Sequence, residues 1–198
     1  LPDRMGSCPF DEFETPFDIR DAKSKYDRVI VLYHGGKENC RYPSPRLYKA
    51  CHAMARSGAD VILCQHTHCI SCYEEFEGCH ILYGQGNFNF AWYGVSPCWE
   101  TSLAVKYDTL THKIEFIPVC MREDGCDLAE GEEKAEILKG FEMRNASLKD
   151  GTWLNGWKEF CNTASAGYFN NVAGFGESGR SETSRLLMAH MLDCEAHL

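Results

Sequence analysis

Long apolar runs are missing from this 198-residue chain. The longest, such as Val29 to Tyr33, fall far short of the roughly 20 residues a helix needs to cross a bilayer, so no transmembrane segment is expected. Positive charge is also scarce. Lys and Arg number 20 against 29 Asp and Glu, a formal net charge of −9. No basic cluster breaks that balance, and an acidic surface repels a phosphate backbone, so nucleic acid is not expected as a partner. Neither an internal repeat nor a signal peptide is evident. Leu1 is not an initiator methionine, so the missing leader carries no weight.

What is abundant is cysteine, with twelve residues. A secreted protein would pair them, whereas a reduced one uses Cys as a small buried hydrophobe. Cys51, Cys64 and Cys120 sit inside apolar strand or helix patterns, which favours free thiols and a reducing environment. Cys69 and Cys72 form an isolated C-x-x-C. With 44% hydrophobic and 25% charged residues the composition is that of a globular protein, and the length suits one domain with a modest appendage.

Residues 1 to 16 read as an entry segment and 18 to 25 as a short helix. Arg28 to Tyr33 (RVIVLY) is a β-branched run expected to form a strand buried on both faces. Ser44 is placed to cap a helix whose first residue is Pro45, and Leu47, Cys51, Met54 and Ala55 recur at helical spacing until Gly58. Val61 to Cys64 (VILC) reads as a second buried strand. Such a strand–helix–strand unit joins parallel strands by a right-handed crossover. His34 then lies at the carboxyl end of one strand, and His66 and His68 just past that of its neighbour, the edge where open α/β sheets bind ligands.

Ile81 to Tyr83 suggests a third strand, followed by the turn Gly84-Gln85-Gly86-Asn87. Leu103 to Tyr107 and Ile114 to Pro118 alternate around a polar turn and read as a hairpin. Residues 130 to 144 and 153 to 161 carry helical patterns, 167 to 179 are Gly-rich and read as loop, and 181 to 194 suggest a terminal helix. A weak boundary falls near Gly125.

His66-x-His68 is the sharpest local feature. In an extended segment, residues i and i+2 point the same way, so two imidazoles could share a metal or serve two adjacent ones. With His34 on the same rim, the three could form a mononuclear site or part of a dinuclear one. Ligands about 2 Å from one or two close ions would put the nearest ring nitrogens within roughly 7 Å of one another. Glu38 could act as general acid/base, ligand or outer partner to an imidazole. A structural zinc on Cys64, His66, Cys69 and Cys72 is the weaker alternative, because the spacing is not that of a standard finger. Gly84-x-Gly86 lacks the third glycine of a dinucleotide loop. His52, His80, His112, His190 and His197 have no partner at ligand spacing and read as packed or surface residues.

Taken together, His34-Gly35-Gly36-Lys37-Glu38, Gly58-Ala59-Asp60, Cys64-Gln65-His66-Thr67-His68 and Tyr83-Gly84-Gln85-Gly86-Asn87-Phe88-Asn89-Phe90 resemble, in order and spacing, the H-W-G-x-E, G-A-D, G-x-H-P-H and Y-S-L-G-N-F-x-F motifs of the CapA family of poly-γ-glutamate capsule synthesis proteins. The resemblance runs from about residue 17 to 120. Gly35, Cys64 and Thr67 depart from it. The family belongs to the calcineurin-like metallophosphoesterases, which implies an α/β fold, here the C-terminal half of a four-layer α/β/β/α sandwich over 1–126 with a mainly helical extension over 127–198. It further implies a metal-dependent, phosphoesterase-like hydrolase linked to capsule biosynthesis or cleavage. His34, His66 and His68 would bind metal, His34 and His66 holding one ion and His68 the other. Glu38 would be catalytic and Asn87 a further site residue. Two divalent ions (Mn, Zn or Fe) are implied, with an anionic polymer or phosphoester as substrate and a bacterial cell-surface or membrane-associated setting. The superfamily's Asp and Asn ligands precede the lone histidine. No G-D or G-N-H motif precedes His34, so a missing N-terminal half or a partner chain is expected to supply them. A non-catalytic capsule-assembly module is the rival reading.

Overall fold

The computed structural model describes residues 8–89 and 98–173, with isolated positions between 182 and 189. The chain is mixed α/β. Helix α1 (Glu14–Lys25) starts earlier than expected, because Asp11 Oδ1 accepts from the backbone N–H groups of Phe13 and Glu14 at 2.8 and 2.9 Å. Strand β1 (Ile30–Tyr33) leads through helix α2 (Pro45–Arg56) to β2 (Val61–Cys64). As the sequence predicts, Ser44 Oγ accepts from Leu47 N at 3.0 Å, Pro45 opens the helix, and Gly58 leaves it at φ +111°.

Next come β3 (Tyr73–Phe76), β4 (Cys79–Leu82), the hairpin β5 (Thr101–Asp108) and β6 (Lys113–Arg122), then β7 (Gly125–Leu128). One sheet has the order β1-β2-β4-β3, with β1, β2 and β4 parallel and β3 antiparallel. The second is β5-β6-β7, antiparallel throughout. On one face of the first sheet, Leu47, Cys51 and Met54 from α2 pack on Ile62, Cys64, Ile81 and Tyr83. On the other, Val61, Leu63 and Leu82 meet Leu103, Val105 and Phe116 of the second sheet. Helix α3 (Gly131–Asp150) adds Phe141 to this second cluster, while its Leu148 and Trp153 of helix α4 (Trp153–Ala173) join the first.

Several expectations need correction. β1 is not buried on both faces: Ile30 is 47% and Leu32 67% exposed. It is the edge strand, and the second sheet's cluster reaches β2 and β4 but not β1. β3 and β7 were not legible as strands, and Gly125 begins β7. Residues 167 to 173 belong to α4, not to a loop. The rest of that Gly-rich stretch, most of the expected terminal helix over 181 to 194, and His190, His197 and Phe90 lie outside the described residues.

Asp60 fixes the register on which the site depends. Its carboxylate accepts from Lys23 Nζ at 2.7 Å, Arg28 Nη1 at 3.0 Å and Val29 N at 2.8 Å, joining α1 and the start of β1 to the start of β2. Burial raises its pKa, but these bonds outweigh burial and hold it below the usual carboxylate range.

Candidate functional site

The parallel register pairs Tyr33 with Cys64, so the chain leaves β1 and β2 side by side. His34 follows the first and His66 and His68 the second. Two close approaches clip the loops together. Gly36 sits at φ +118°, where a Cβ would lie 2.6 Å from Thr67 Cγ2, and Asn39 N donates to Thr67 O at 2.9 Å. Glu38 is thereby carried over the His66-Thr67-His68 turn. That turn is not the extended segment the spacing suggests: His68 is in the left-handed region at φ 57°.

The rings nonetheless converge. His66 Nδ1 and His34 Nε2 share a hydrogen bond of 3.0 Å. His66 Nε2 lies 3.7 Å, and His68 Nε2 4.0 Å, from Glu38 Oε1. Buried Asn87 accepts through Oδ1 from His68 Nδ1 at 2.8 Å and donates through Nδ2 to Trp99 O at 3.2 Å. Donation to a carbonyl fixes which end of the Asn87 amide faces His68. The bond to Asn87 Oδ1 places a proton on His68 Nδ1 and leaves Nε2 as the ring nitrogen on the Glu38 side. Trp99 stacks on His68 with centroids 4.6 Å apart at 13°, and its indole N–H donates to Asn39 Oδ1. Asn87 enters through the Gly84–Gly86 turn, where Gly86, at φ +81°, has no room for a side chain: a Cβ would meet Ser102 Cα at 2.9 Å.

One donor atom from each of Glu38, His66 and His68 lies within 4.8 Å of the other two, the one such group among the described residues. Donors about 2.1 Å from a shared ion lie at most about 4.2 Å apart. Both separations from Glu38 Oε1, 3.7 and 4.0 Å, meet that limit, while the group as a whole spans up to 4.8 Å; two imidazoles with a carboxylate suit zinc, iron or manganese. His34 stands outside the group, bonded to the other nitrogen of His66. A cleft of about 490 Å³ adjoins the site, lined by His34, Gln65, His68, Gln85, Asn87 and Ser102 among others.

The cysteine alternative does not assemble. Cys64 turns into the core, 3.7 Å from Cys51 Sγ, and no cysteine joins the metal-competent group. Cys69 and Cys72 form no disulfide, and burial pushes both thiols up to about 12. The remaining described histidines are packed: His52 against Glu74 at 2.7 Å, His80 against Tyr73 at 2.7 Å, His112 against Tyr107 at 2.6 Å. Spacing gave no hint of Asn39 or Trp99. The one signal for Asn39 is its place directly after Glu38; Trp99 has none.

Residues 5–91 match the family model of bacterial capsule synthesis proteins, PGA_cap. Over 72 residues the chain is 38% identical to the PGA biosynthesis protein CapA of Bacillus subtilis (strain 168), covering 36% of this chain and 19% of that protein. It is 37% identical over 68 residues to the capsule biosynthesis protein CapA of Bacillus anthracis, covering 34% and 16%. The span that matches the capsule synthesis family model, residues 5–91, includes His34, Glu38, His66, His68 and Asn87. The matches span under a fifth of each curated relative.

Proposed function

We propose that the chain is part of a CapA-type, metal-dependent hydrolase acting in poly-γ-glutamate or capsule biosynthesis or cleavage. The observation that carries this reading is the approach of Glu38 Oε1 to His66 Nε2 and His68 Nε2 at 3.7 and 4.0 Å. These three atoms would hold one divalent ion. Asn87 sets the tautomer of His68, and His34, through its bond to Nδ1, orients His66. His34 is then an outer partner in this conformation rather than the direct ligand the family resemblance implies. A bound ion would supply an activated water and polarise the scissile group. The chain's own residues present the donors, hold the His68 ring proton on Nδ1 and line the neighbouring cleft with side-chain amides. A second ion, and completion of the four-layer sandwich, would draw on elements outside this chain.

The relatives' names speak of biosynthesis and not of hydrolysis. That favours a second reading, a capsule-assembly module that keeps the fold and the metal without turnover. A side-by-side assay decides. Zinc and manganese uptake is titrated calorimetrically, and hydrolysis of a generic phosphodiester and a γ-glutamyl polymer is followed with and without metal, for this chain and for a longer chain extended at its N-terminus. Metal uptake lost in His66→Ala and His68→Ala, with metal-dependent turnover in the longer chain, supports the hydrolase. Uptake without turnover supports the assembly module. Uptake unchanged in both variants would sink the metal site itself.

A further inference from the structure

Away from the histidines, Arg41 and Arg144, on either side of Ser71, make no ion pair among the described residues. Arg144, on α3, is only 9% exposed. Its Nε donates at 3.4 Å to the carbonyl of Ser71, a long bond, and no ion pair involves it among the described residues. Arg41 lies in the loop after Glu38. Its Nη2 contacts a sulfur, Cys98 Sγ, at 2.8 Å, and it too makes no ion pair among the described residues. Ser71 joins the two, since its hydroxyl donates to Arg41 O at 2.9 Å while its carbonyl accepts from Arg144. Asn145 anchors the next position of α3 by accepting from Tyr73 N at 2.8 Å, so the helix cannot turn Arg144 outward without losing that bond. Gly140 leaves the guanidinium its room: a Cβ there would meet Arg144 Nη1 at 3.3 Å.

A guanidinium held out of water and away from any anion is costly, and proteins normally pair it. The chain has acids to spare, with 29 Asp and Glu against 20 Lys and Arg, and elsewhere it uses them: Arg28 and Lys23 on Asp60, Arg122 on Glu133. That Arg41 and Arg144 have no carboxylate among the described residues is therefore not a shortage of acids. A planar fork of donors that no acid among the described residues fills matches the two oxygens of a carboxylate or phosphate. We propose that Arg41 and Arg144 form a binding site for an oxyanion, the carboxylate or phosphate of a ligand that lies along the loops carrying Glu38 and His68. Burial, then the neighbouring Arg41 charge, lower the pKa of Arg144, the strain that a bound anion relieves. The site does not require the metal reading.

The test is calorimetric titration of the metal-free protein at low ionic strength with inorganic phosphate and, separately, with glutarate. Saturable binding is expected, weakened about tenfold by Arg41→Ala and by Arg144→Met, the loss of a charge-assisted bond. Lys113→Ala, at an exposed hairpin position, leaves it unchanged. Arg41 is exposed, so Arg41→Ala decides the matter even where Arg144→Met fails to fold. Tighter binding of phosphate assigns the site to a phosphoester-bearing ligand, and tighter binding of glutarate to a carboxylate-bearing one. Absence of saturable binding, or Arg41→Ala binding both anions as tightly as the unaltered chain, overturns the proposal. Metal uptake by His66 and His68 is measured separately, so failure of one site is not mistaken for failure of the other.

Discussion

Asn87→Ala is the sharpest probe of the histidine rim, because Asn87 touches a proposed ligand without being one. Its Oδ1 accepts from His68 Nδ1 at 2.8 Å, and this bond keeps Nε2 on the Glu38 side as the nitrogen offered to a metal. Without it, His68 is released to the other tautomer, whose Nε2–H cannot ligate, while the ring keeps its stack on Trp99. Loss of such an outer partner costs roughly 10- to 100-fold in metal affinity, about 1.4 to 2.8 kcal/mol. The fold pays separately. The Asn87 Nδ2 bond to Trp99 O also goes, and loss of such a bond costs about 0.5 to 1.5 kcal/mol of stability. Zinc titration monitored by calorimetry, with thermal unfolding on the same samples, separates the two effects. Asn87→Asp keeps an acceptor for Nδ1 and is expected to recover metal affinity to within a few-fold, though not the bond to Trp99 O. Should folded Asn87→Ala bind zinc as tightly as the unaltered protein, the tautomer argument is wrong.

Asp60→Asn is expected to destabilise the fold by about 2 kcal/mol at neutral pH, by loss of charge on two cationic bonds. Because the folded pKa of Asp60 lies below its unfolded value, its contribution is full above the ordinary carboxylate pKa of about 4 and fades as pH falls through the folded value. Urea unfolding across acid pH should accordingly show a flatter acid limb in the variant, and parallel limbs would refute the assignment. Gly36→Ala places a Cβ 2.6 Å from Thr67 Cγ2 at a φ that L side chains rarely adopt; a loss of about 1 to 3 kcal/mol in thermal stability is expected, and an unchanged melting temperature would show that the Glu38 loop is not pinned there. Cys69 and Cys72 should react slowly with thiol reagents in the native protein and fast once it is denatured. Fewer than about ten of the twelve thiols titrating in non-reducing denaturant would count against a reduced protein.

The strand–helix–strand unit was legible because its signals are local. Ser44, Pro45 and Gly58 punctuate α2, and a run such as VILC has no polar atom to place. β1 misled because apolar content reports what a strand can bury, while its place in the sheet order decides what is buried. β3 escaped notice because Tyr73-Glu74-Glu75-Phe76 looks solvated. Glu74 is instead taken up by His52 at 2.7 Å and Tyr83 at 2.6 Å, and although burial raises its pKa those bonds bring it below the usual range. The convergence of His66 and His68 was foreseen for the wrong local reason, since a left-handed turn and not strand alternation aims the rings. Trp99 could not be foreseen at all: it reaches His68 from 31 positions along the chain, through packing that no spacing encodes.

The three departures from the family motifs show why the rim could keep its donors while the sequence around it changed. Cys64, where the family has glycine, sends its sulfur into the core beside Cys51 and away from the histidines. It is absorbed by packing. At Gly35, in the place of tryptophan, a Cβ would meet the Tyr33 ring at 2.5 Å, so the bulk missing from one position is occupied by the ring two residues earlier. Thr67, where the family has proline, is fully buried. Its hydroxyl donates to Cys69 O at 2.9 Å, its carbonyl accepts from Asn39 N, and its methyl abuts Gly36. Proline has no hydroxyl for the bond to Cys69 and would stiffen the turn through φ alone. Threonine stiffens it with a side-chain hydrogen bond and a methyl packed under the Glu38 loop. Each replacement thus acts through packing or hydrogen bonds with Tyr33, Cys51, Cys69 or Gly36, and none of these contacts uses the donor atoms of Glu38, His66 or His68.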